Sequence, residues 1–343
     1  MIEVEHLCKR FGNVAAVEDV NFQVEKGKIW GFLGPNGAGK TTTMRILTGY
    51  LAPSSGIARI NGQDVSADPF RVKRMVGYLP EVVPIYPELT VKECLRFVAE
   101  LFGIERSKIA FAVDRVVEKA SLQDVYKRLV RNISRGYRQR LGIAQAIIHE
   151  PEVLILDEPT IGLDPAQIIE IREMITSFRG SATTILSSHI LAEITQVCDG
   201  AVIIKDGKLM ATLTREGWEK NLEIITAAGG DGHPGADMLK SQFPYIQEVA
   251  SDSHSLKIEF KEAVSDVNKI LQFLINRNVR IREVKSGLEA LYMKIISTEG
   301  TSGNTHGGAT EGSTRSGATE GSTRSGGASG NTATAAEDSG RIQ

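Results

Sequence analysis

Gly34-Pro35-Asn36-Gly37-Ala38-Gly39-Lys40-Thr41-Thr42 fits the pattern G-x-x-x-x-G-K-[ST] in full. The pattern has chemical meaning only between a strand and a helix, and the flanks supply both. Lys28-Ile29-Trp30-Gly31-Phe32-Leu33 reads as a short buried strand, and Thr42-Thr43-Met44-Arg45-Ile46-Leu47 as the first turns of a helix. Glycines let successive backbone N–H groups converge on an anion, and the helix N-terminus adds the positive end of its dipole. Lys40 is placed to reach the outer phosphates, and Thr41 to offer its hydroxyl to Mg²⁺. A nucleotide-phosphate site is therefore expected over Gly34–Thr42, rather than a glycine-rich surface turn.

Five further segments follow in order along the chain. Gly77-Tyr78-Leu79-Pro80-Glu81 precedes Ile133-Ser134-Arg135-Gly136-Tyr137-Arg138-Gln139-Arg140-Leu141. Leu154-Ile155-Leu156-Asp157-Glu158-Pro159-Thr160 then runs into Ile161-Gly162-Leu163-Asp164-Pro165, and Ser187-Ser188-His189 ends another strand-like run. With the phosphate loop they resemble the ATP-binding cassette (ABC) ATPases over residues 1 to about 212. The resemblance implies a Mg²⁺-shell role for Asp157 and a general-base role for Glu158, which would polarise the attacking water. His189 takes the place of the switch histidine, contacting the γ-phosphate and holding Glu158 and the water. Asp164 lies in the loop that communicates across a dimer interface. Lys9-Arg10-Phe11-Gly12 occupies the place of the adenine-stacking aromatic, Phe11.

Two segments depart from the family pattern. The signature, usually Leu-Ser-Gly-Gly-Gln, keeps Ser134 and Gly136 but has Arg135 and Tyr137. Ser134 suits the N-cap of a helix over Arg138–His149, and the resemblance aims that helix end at ATP held by the opposite subunit. Glu81 stands where glutamine is usual, so it is expected to accept from Mg²⁺-bound water while adding repulsion toward the phosphates. The Ser-x-Gly-Tyr-Arg-Gln-Arg form is similar to the branch that serves ABC-2-type exporters, as is Gly287-Leu288-Glu289-Ala290-Leu291-Tyr292-Met293-Lys294 to the last helix of drug-export and gliding-motility-type subunits.

The resemblance thus implies an ATPase using ATP and Mg²⁺ in head-to-tail dimers, either a homodimer or paired with another ABC subunit. Separate integral membrane permease subunits of ABC-2 type would be driven from the cytoplasmic face of the inner membrane. A soluble cassette protein working on nucleic acid or the ribosome would call for tandem cassettes, coiled-coil insertions or zinc modules, and the chain has none of these patterns. A regulatory nucleotide binder with impaired hydrolysis is the third reading, opposed by intact Asp157, Glu158 and His189. The cargo is not encoded in these motifs.

The positioning elements read as α/β: a P-loop NTPase (RecA-like) core with an antiparallel β subdomain and an inserted helical subdomain. Ile2-Glu3-Val4-Glu5 and Ile57-Ala58-Arg59-Ile60, beside Asn61-Gly62, suit a half-exposed antiparallel sheet. Val153–Leu156 is uninterrupted and apolar, as in a central parallel strand. Thr184–Ser187 and Ala201–Ile204 are further strands. Residues from about 86 to 150 turn helical, opened by the capping box Thr90-Val91-Lys92-Glu93, with Ile109, Val113, Val116 and Val117 marking a second helix. Residues 213–298 read as a small accessory α/β domain with strands at Leu222–Ile225, Ser255–Phe260 and Val279–Arg282, and a helix carrying Val267, Ile270, Leu271 and Leu274. Residues 299–343 are Gly/Ser/Thr-rich, with the nine-residue unit Gly308–Ser316 repeated at Gly317–Ser325, and are expected to be disordered.

Composition bounds these readings. The 343 residues are 41% hydrophobic, enough for proper cores, and the net charge of −2 argues against a nucleic-acid binder held by a large basic surface. Cys8, Cys94 and Cys198 are too scattered for a zinc site or disulfide framework and fit reduced cytoplasmic thiols. The acidic N-terminus does not read as a signal peptide, and no run reaches the roughly 18 apolar residues of a membrane span.

Overall fold

The computed structural model describes residues 1–226, 235–252, 254–262 and 267–297. In chain order, β1 (Ile2–Phe11), β2 (Val14–Val24), β3 (Ile29–Leu33), α1 (Lys40–Leu47), β4 (Ser55–Ile60), β5 (Gln63–Asp64), α2 (Pro69–Met75) and β6 (Val76–Leu79) form the first third. Then come α3 (Val91–Leu101), α4 (Arg106–Lys119), α5 (Arg135–Ile147), β7 (Val153–Asp157), α6 (Pro165–Thr176), β8 (Thr183–Ser188), α7 (Leu191–Val197), β9 (Gly200–Lys205) and β10 (Lys208–Thr214). The remainder holds α8 (Arg215–Glu219), β11 (Asn221–Thr226), α9 (Ala236–Gln242), β12 (Ile246–Ser251), β13 (Ser255–Phe260), α10 (Val267–Ile275), β14 (Ile281–Ser286) and α11 (Gly287–Ser297).

Sheet order follows from what each strand must bury. β3 and β7 are apolar at nearly every position and fully buried, so both need neighbours on each side and cover on each face. They lie inside the sheet β10-β9-β3-β8-β7-β6, where β3, β9, β8, β7 and β6 run parallel and β10 returns antiparallel to β9. The half-exposed β1 and β4 pair antiparallel in a second sheet, β2-β1-β4-β5, whose β4–β5 turn uses Asn61 and Gly62, both at positive φ. The sequence pattern did not reveal β2. Its alternation is broken by register shifts against β1, with Asp19 and, opposite, His6 at φ 49.

Between β6 and β7, helices α3, α4 and α5 share the larger core with one face of the parallel sheet. The Thr90 capping box is formed in both directions, Glu93 accepting from the Thr90 N–H at 2.8 Å and donating its own N–H to Thr90 Oγ1 at 3.2 Å. The helix expected over Arg138–His149 starts earlier, at Arg135, because Ser134 caps it through the Tyr137 N–H.

A third sheet, β12-β13-β11-β14, carries its own core of Leu222, Ile224, Leu256, Ile258, Phe260, Ile270 and Leu274. Its last strand begins two residues later than the Val279–Arg282 expected, and β12 and α9 were not foreseen because their short patterns lack a clear apolar face. Trp218 and Leu288 are buried in the core shared with α5 and β7, so these elements are packed onto the parallel-sheet unit. The expected tail, including both nine-residue repeats, lies outside the described residues. Among the described residues, no helix is long and apolar enough to cross a membrane.

Candidate active site

Parallel strands deliver their C-terminal ends to one edge of a sheet, and ligands of open α/β sheets sit there. Register places Leu33 of β3 beside Ser188 of β8, and Ser187 of β8 beside Asp157 of β7. The segment leaving β3 is the phosphate loop, that leaving β7 is Glu158, and that leaving β8 is His189. Three distant parts of the sequence therefore meet because their strands are neighbours.

The loop cannot carry larger residues at two glycines. A Cβ on Gly39, at φ 100, would lie 2.5 Å from the Ala16 carbonyl oxygen, and one on Gly34 would lie 2.3 Å from that of Ile204. The loop is wedged between β2 and β9 backbones, which sets its path into α1. Gly39 is the N-cap of α1, and Lys40 opens the helix. The Lys40 ammonium donates to the carbonyls of Gly34 at 2.8 Å and Pro35 at 3.3 Å, and lies 3.4 Å from Glu158 Oε1. Both side chains of that pair are over nine-tenths buried, so each offsets part of the other's desolvation cost.

Glu158 leaves β7 at φ 50, in the left-handed region, a conformation costing on the order of 1–3 kcal/mol for a non-glycine residue. The surroundings over-determine it: its N–H donates to Ser187 Oγ at 2.9 Å, while Oε1 faces Lys40 and Oε2 accepts from His189 Nδ1 at 2.9 Å. A carboxylate only accepts, so the shared proton is on Nδ1 of the imidazole. The His189 side chain is 43% exposed, leaving one ring edge toward solvent.

Asp157 is fully buried and accepts from Ser187 Oγ at 2.6 Å and from Thr41 Oγ1 at 3.3 Å, both on Oδ1. Its Oδ2 is buried without a partner. An orphan carboxylate oxygen beside a threonine hydroxyl is a hard-oxygen donor set that fits Mg²⁺, which takes one or two protein oxygens and fills its shell with phosphate and water. On adjacent β6, burial first and the Asp157 charge second push the Tyr78 phenol up to about 12, keeping it protonated.

A second cluster forms elsewhere. Ser134, Gly136, Tyr137, Arg140, Asp164, Gln167 and Glu170 line a cleft of about 280 Å³ between α5 and the start of α6. Asp164 caps α6 by accepting from the Gln167 N–H at 2.9 Å, and Gly136 is so close to Gln167 that a Cβ there would lie 2.6 Å from its amide. The Arg135 guanidinium lies against Gly162, where an added Cβ would meet it at 2.4 Å, so this departure from the family signature ties α5 to the loop after Glu158. Ser134, Gly136 and Asp164 thus line one cleft, and no phosphate-loop residue lines it.

The family model for the ABC transporter matches residues 17–161. The Bacitracin transport ATP-binding protein BcrA of Bacillus licheniformis is 44% identical over 303 residues, covering 86% of this chain and 97% of that protein. The chain belongs to the ABC transporter ATP-binding proteins. The Lantibiotic transport ATP-binding protein SrtF of Streptococcus pyogenes is 39% identical over 226 residues, covering 66% of this chain and 95% of its own length. Among solved structures, one described as "Structure of ATP binding subunit of ABC transporter" superposes with a TM-score of 0.58 at 32% identity, covering 62% of this chain and 90% of that one. As an ABC ATP-binding subunit the protein binds ATP and hydrolyses it to ADP and phosphate in the service of a membrane transporter.

Within this ABC subunit, Gly34, Pro35, Asn36, Gly37, Ala38, Gly39, Lys40, Thr41 and Thr42 form the loop and first helical turn, in contact with Asp157 and Glu158. Phe11 ends β1 half-exposed, with Lys9 Nζ 5.2 Å from its ring centre, so one aromatic surface is accessible. Glu81 follows β6 on the surface, and among the described residues no hydrogen bond or ion pair joins it to Asp157, Thr41 or Lys40. Sequence reasoning did not single out Tyr78, Thr160, Ser187 as a ligand of Asp157, or Glu193. The only signal for Glu193 was an acidic residue in an otherwise apolar helical turn, which an exposed position would also produce.

Proposed function

We propose that the ATPase acts through Glu158 as general base in a site completed by a second copy or a paired ABC subunit, and that it drives an ABC-2-type permease exporting peptide antibiotics. The observation that carries the chemistry is the buried Lys40–Glu158 pair joined by the half-exposed His189, with 3.4 Å and 2.9 Å between partners. As water attacks the γ-phosphorus, Glu158 takes its proton and the bond to the bridging β–γ oxygen breaks, releasing ADP. The Nδ1–H of His189 keeps the carboxylate oriented, and its exposed edge contacts the γ-phosphate. Lys40 and the loop N–H groups balance phosphate charge. Mg²⁺, held by Thr41 and Asp157, would supply further neutralisation of the phosphates when bound.

The cleft that holds Ser134, Gly136 and Asp164 has no phosphate-loop residue in its lining, which supports pairing with the ATP of a partner subunit. Glu81, exposed beyond β6, is available to relay nucleotide state to the permease at the cytoplasmic face of the membrane. Export of a bacitracin-like peptide is supported by the 44% identity to the bacitracin relative along nearly its whole length. Purification of the native complex should recover a polytopic membrane protein, and deletion of the pair should raise bacitracin sensitivity. Unchanged sensitivity would remove this cargo while leaving the ATPase.

Phe11 is proposed to stack on adenine. Phe11→Ala should weaken ATP binding roughly 5- to 10-fold, the lower end of aromatic–base stacking, while Phe11→Trp stays within about twofold. Titration with a fluorescent ATP analogue measures this, and equal affinities for all three proteins would remove the stacking role.

A further inference from the structure

Glu193 lies in the first turn of α7 with only 2% of its surface exposed, and no step of the proposed chemistry uses it. Its carboxylate is fully engaged. Oε1 accepts from Thr160 Oγ1, Oε2 accepts from Ser188 Oγ at 2.7 Å, and the Arg172 guanidinium of α6 stands 4.0 Å from Oε1. The two hydroxyl partners are each close in sequence to a reacting group. Thr160 is two residues past Glu158, in the turn where the Ile161 N–H donates to the Glu158 carbonyl at 3.2 Å. Ser188 precedes His189, and its hydroxyl also accepts from the Ile190 N–H at 2.9 Å, so it brackets the histidine.

The strands β7 and β8 end at Asp157 and Ser188, and beyond them no ladder hydrogen bonds hold the two exits together. Glu193 bridges that gap, one carboxylate oxygen on each exit. Arg172, whose other terminal nitrogen donates to Gln196 Oε1 at 2.6 Å, fixes the bridge to the helix that Asp164 caps. We propose that Glu193 is a positioning residue that sets Glu158 and His189 at their working separation by tying the two strand exits together. The proposal rests on Glu158 and His189 acting as described above. A buried carboxylate that only stabilised the fold would make the same contacts, so the test needs a readout that stability does not move.

The experiment measures ATP hydrolysis by the full-length protein carrying Glu193→Ala or Glu193→Gln, each alone and combined with His189→Ala, with nucleotide affinity and thermal unfolding alongside. Glu193→Ala is expected to lower kcat about 10- to 30-fold with KM within about twofold, because sub-ångström misplacement of catalytic groups acts on the chemical step. Glu193→Gln should recover most of the rate, since both hydroxyls can rotate to meet an amide. On the His189→Ala background, Glu193→Ala should cost less than about threefold, the signature of residues acting as a unit. A full, multiplicative loss on that background, a raised KM at unchanged kcat, or a normal rate would each overturn the proposal. Should Glu193→Ala fail to fold, Thr160→Val and Ser188→Ala each remove one tie and take the same tests. A slow Glu158→Gln beside an unaffected Glu193→Ala would sink the positioning role alone, whereas a fast Glu158→Gln would sink the general-base reading beneath it.

Discussion

Glu158→Gln is expected to lower kcat about 10²- to 10⁴-fold while leaving ATP binding within about threefold of wild type. The substitution keeps the shape of the side chain and its hydrogen bond from His189 Nδ1, now received by the amide oxygen. It removes the only function that glutamine cannot perform, accepting the proton of the attacking water. Lys40, 3.4 Å from Oε1, loses its carboxylate partner but retains the Gly34 and Pro35 carbonyls, so the phosphate loop stays in place. With binding intact and hydrolysis blocked, ATP should accumulate on the protein and hold two subunits together. Size-exclusion chromatography with ATP and Mg²⁺ should show a dimer that wild type forms only transiently, and single-turnover assays should show the slow step. Turnover at the wild-type rate would remove Glu158 as the base.

Lys40→Met should weaken ATP binding on the order of 100-fold and bring hydrolysis below detection. Methionine fills nearly the same volume, so packing loss is minor and the effect reports the ammonium. Each charge-assisted hydrogen bond contributes roughly 1.5–3 kcal/mol, and the ammonium is the one cation among the described residues close to both the loop carbonyls and Glu158. Its loss also leaves the Glu158 carboxylate over nine-tenths buried with only His189 beside it, so thermal stability without nucleotide should fall as well. Lys40→Arg should not restore binding, because a planar guanidinium does not fit the point-charge position between two carbonyls and a carboxylate. Calorimetric titration with ATP separates the outcomes, and wild-type affinity in Lys40→Met would mean that loop N–H groups alone hold the phosphates.

Much of the candidate site is legible in the sequence because its parts are locally determined. The phosphate loop is recognisable from glycine spacing, since backbone approach to an anion restricts residue type one position at a time. Asp157 and Glu158 stand out because two carboxylates ending an apolar run need a reason to be there. The Thr90 capping box and the Ser134 N-cap follow from hydrogen bonds spanning three residues, within reach of a short window. β2 is hidden where irregularities at Asp19 and the opposing His6 break its alternation, and β14 is offset by two residues because Val279–Arg282 alternates strictly while the strand itself, Ile281–Ser286, carries adjacent polar residues and a register shift.

The amino-acid sequence by itself determined that this chain carries a phosphate-loop pattern over Gly34–Thr42, and which carboxylates and imidazole are proposed for hydrolysis. These are properties of residue type and short spacing, governed by backbone conformation and side-chain chemistry. Only the tertiary structure decided that β3, β7 and β8 end side by side, bringing Lys40, Glu158 and His189 within 3.4 Å and 2.9 Å contacts. It also decided that Ser134, Gly136 and Asp164 line one cleft, and that Glu193 is a buried tie between two strand exits rather than an exposed helix acid. Strand order and burial are set by the summed packing of a whole sheet and its helices, and no local stretch of sequence carries that sum.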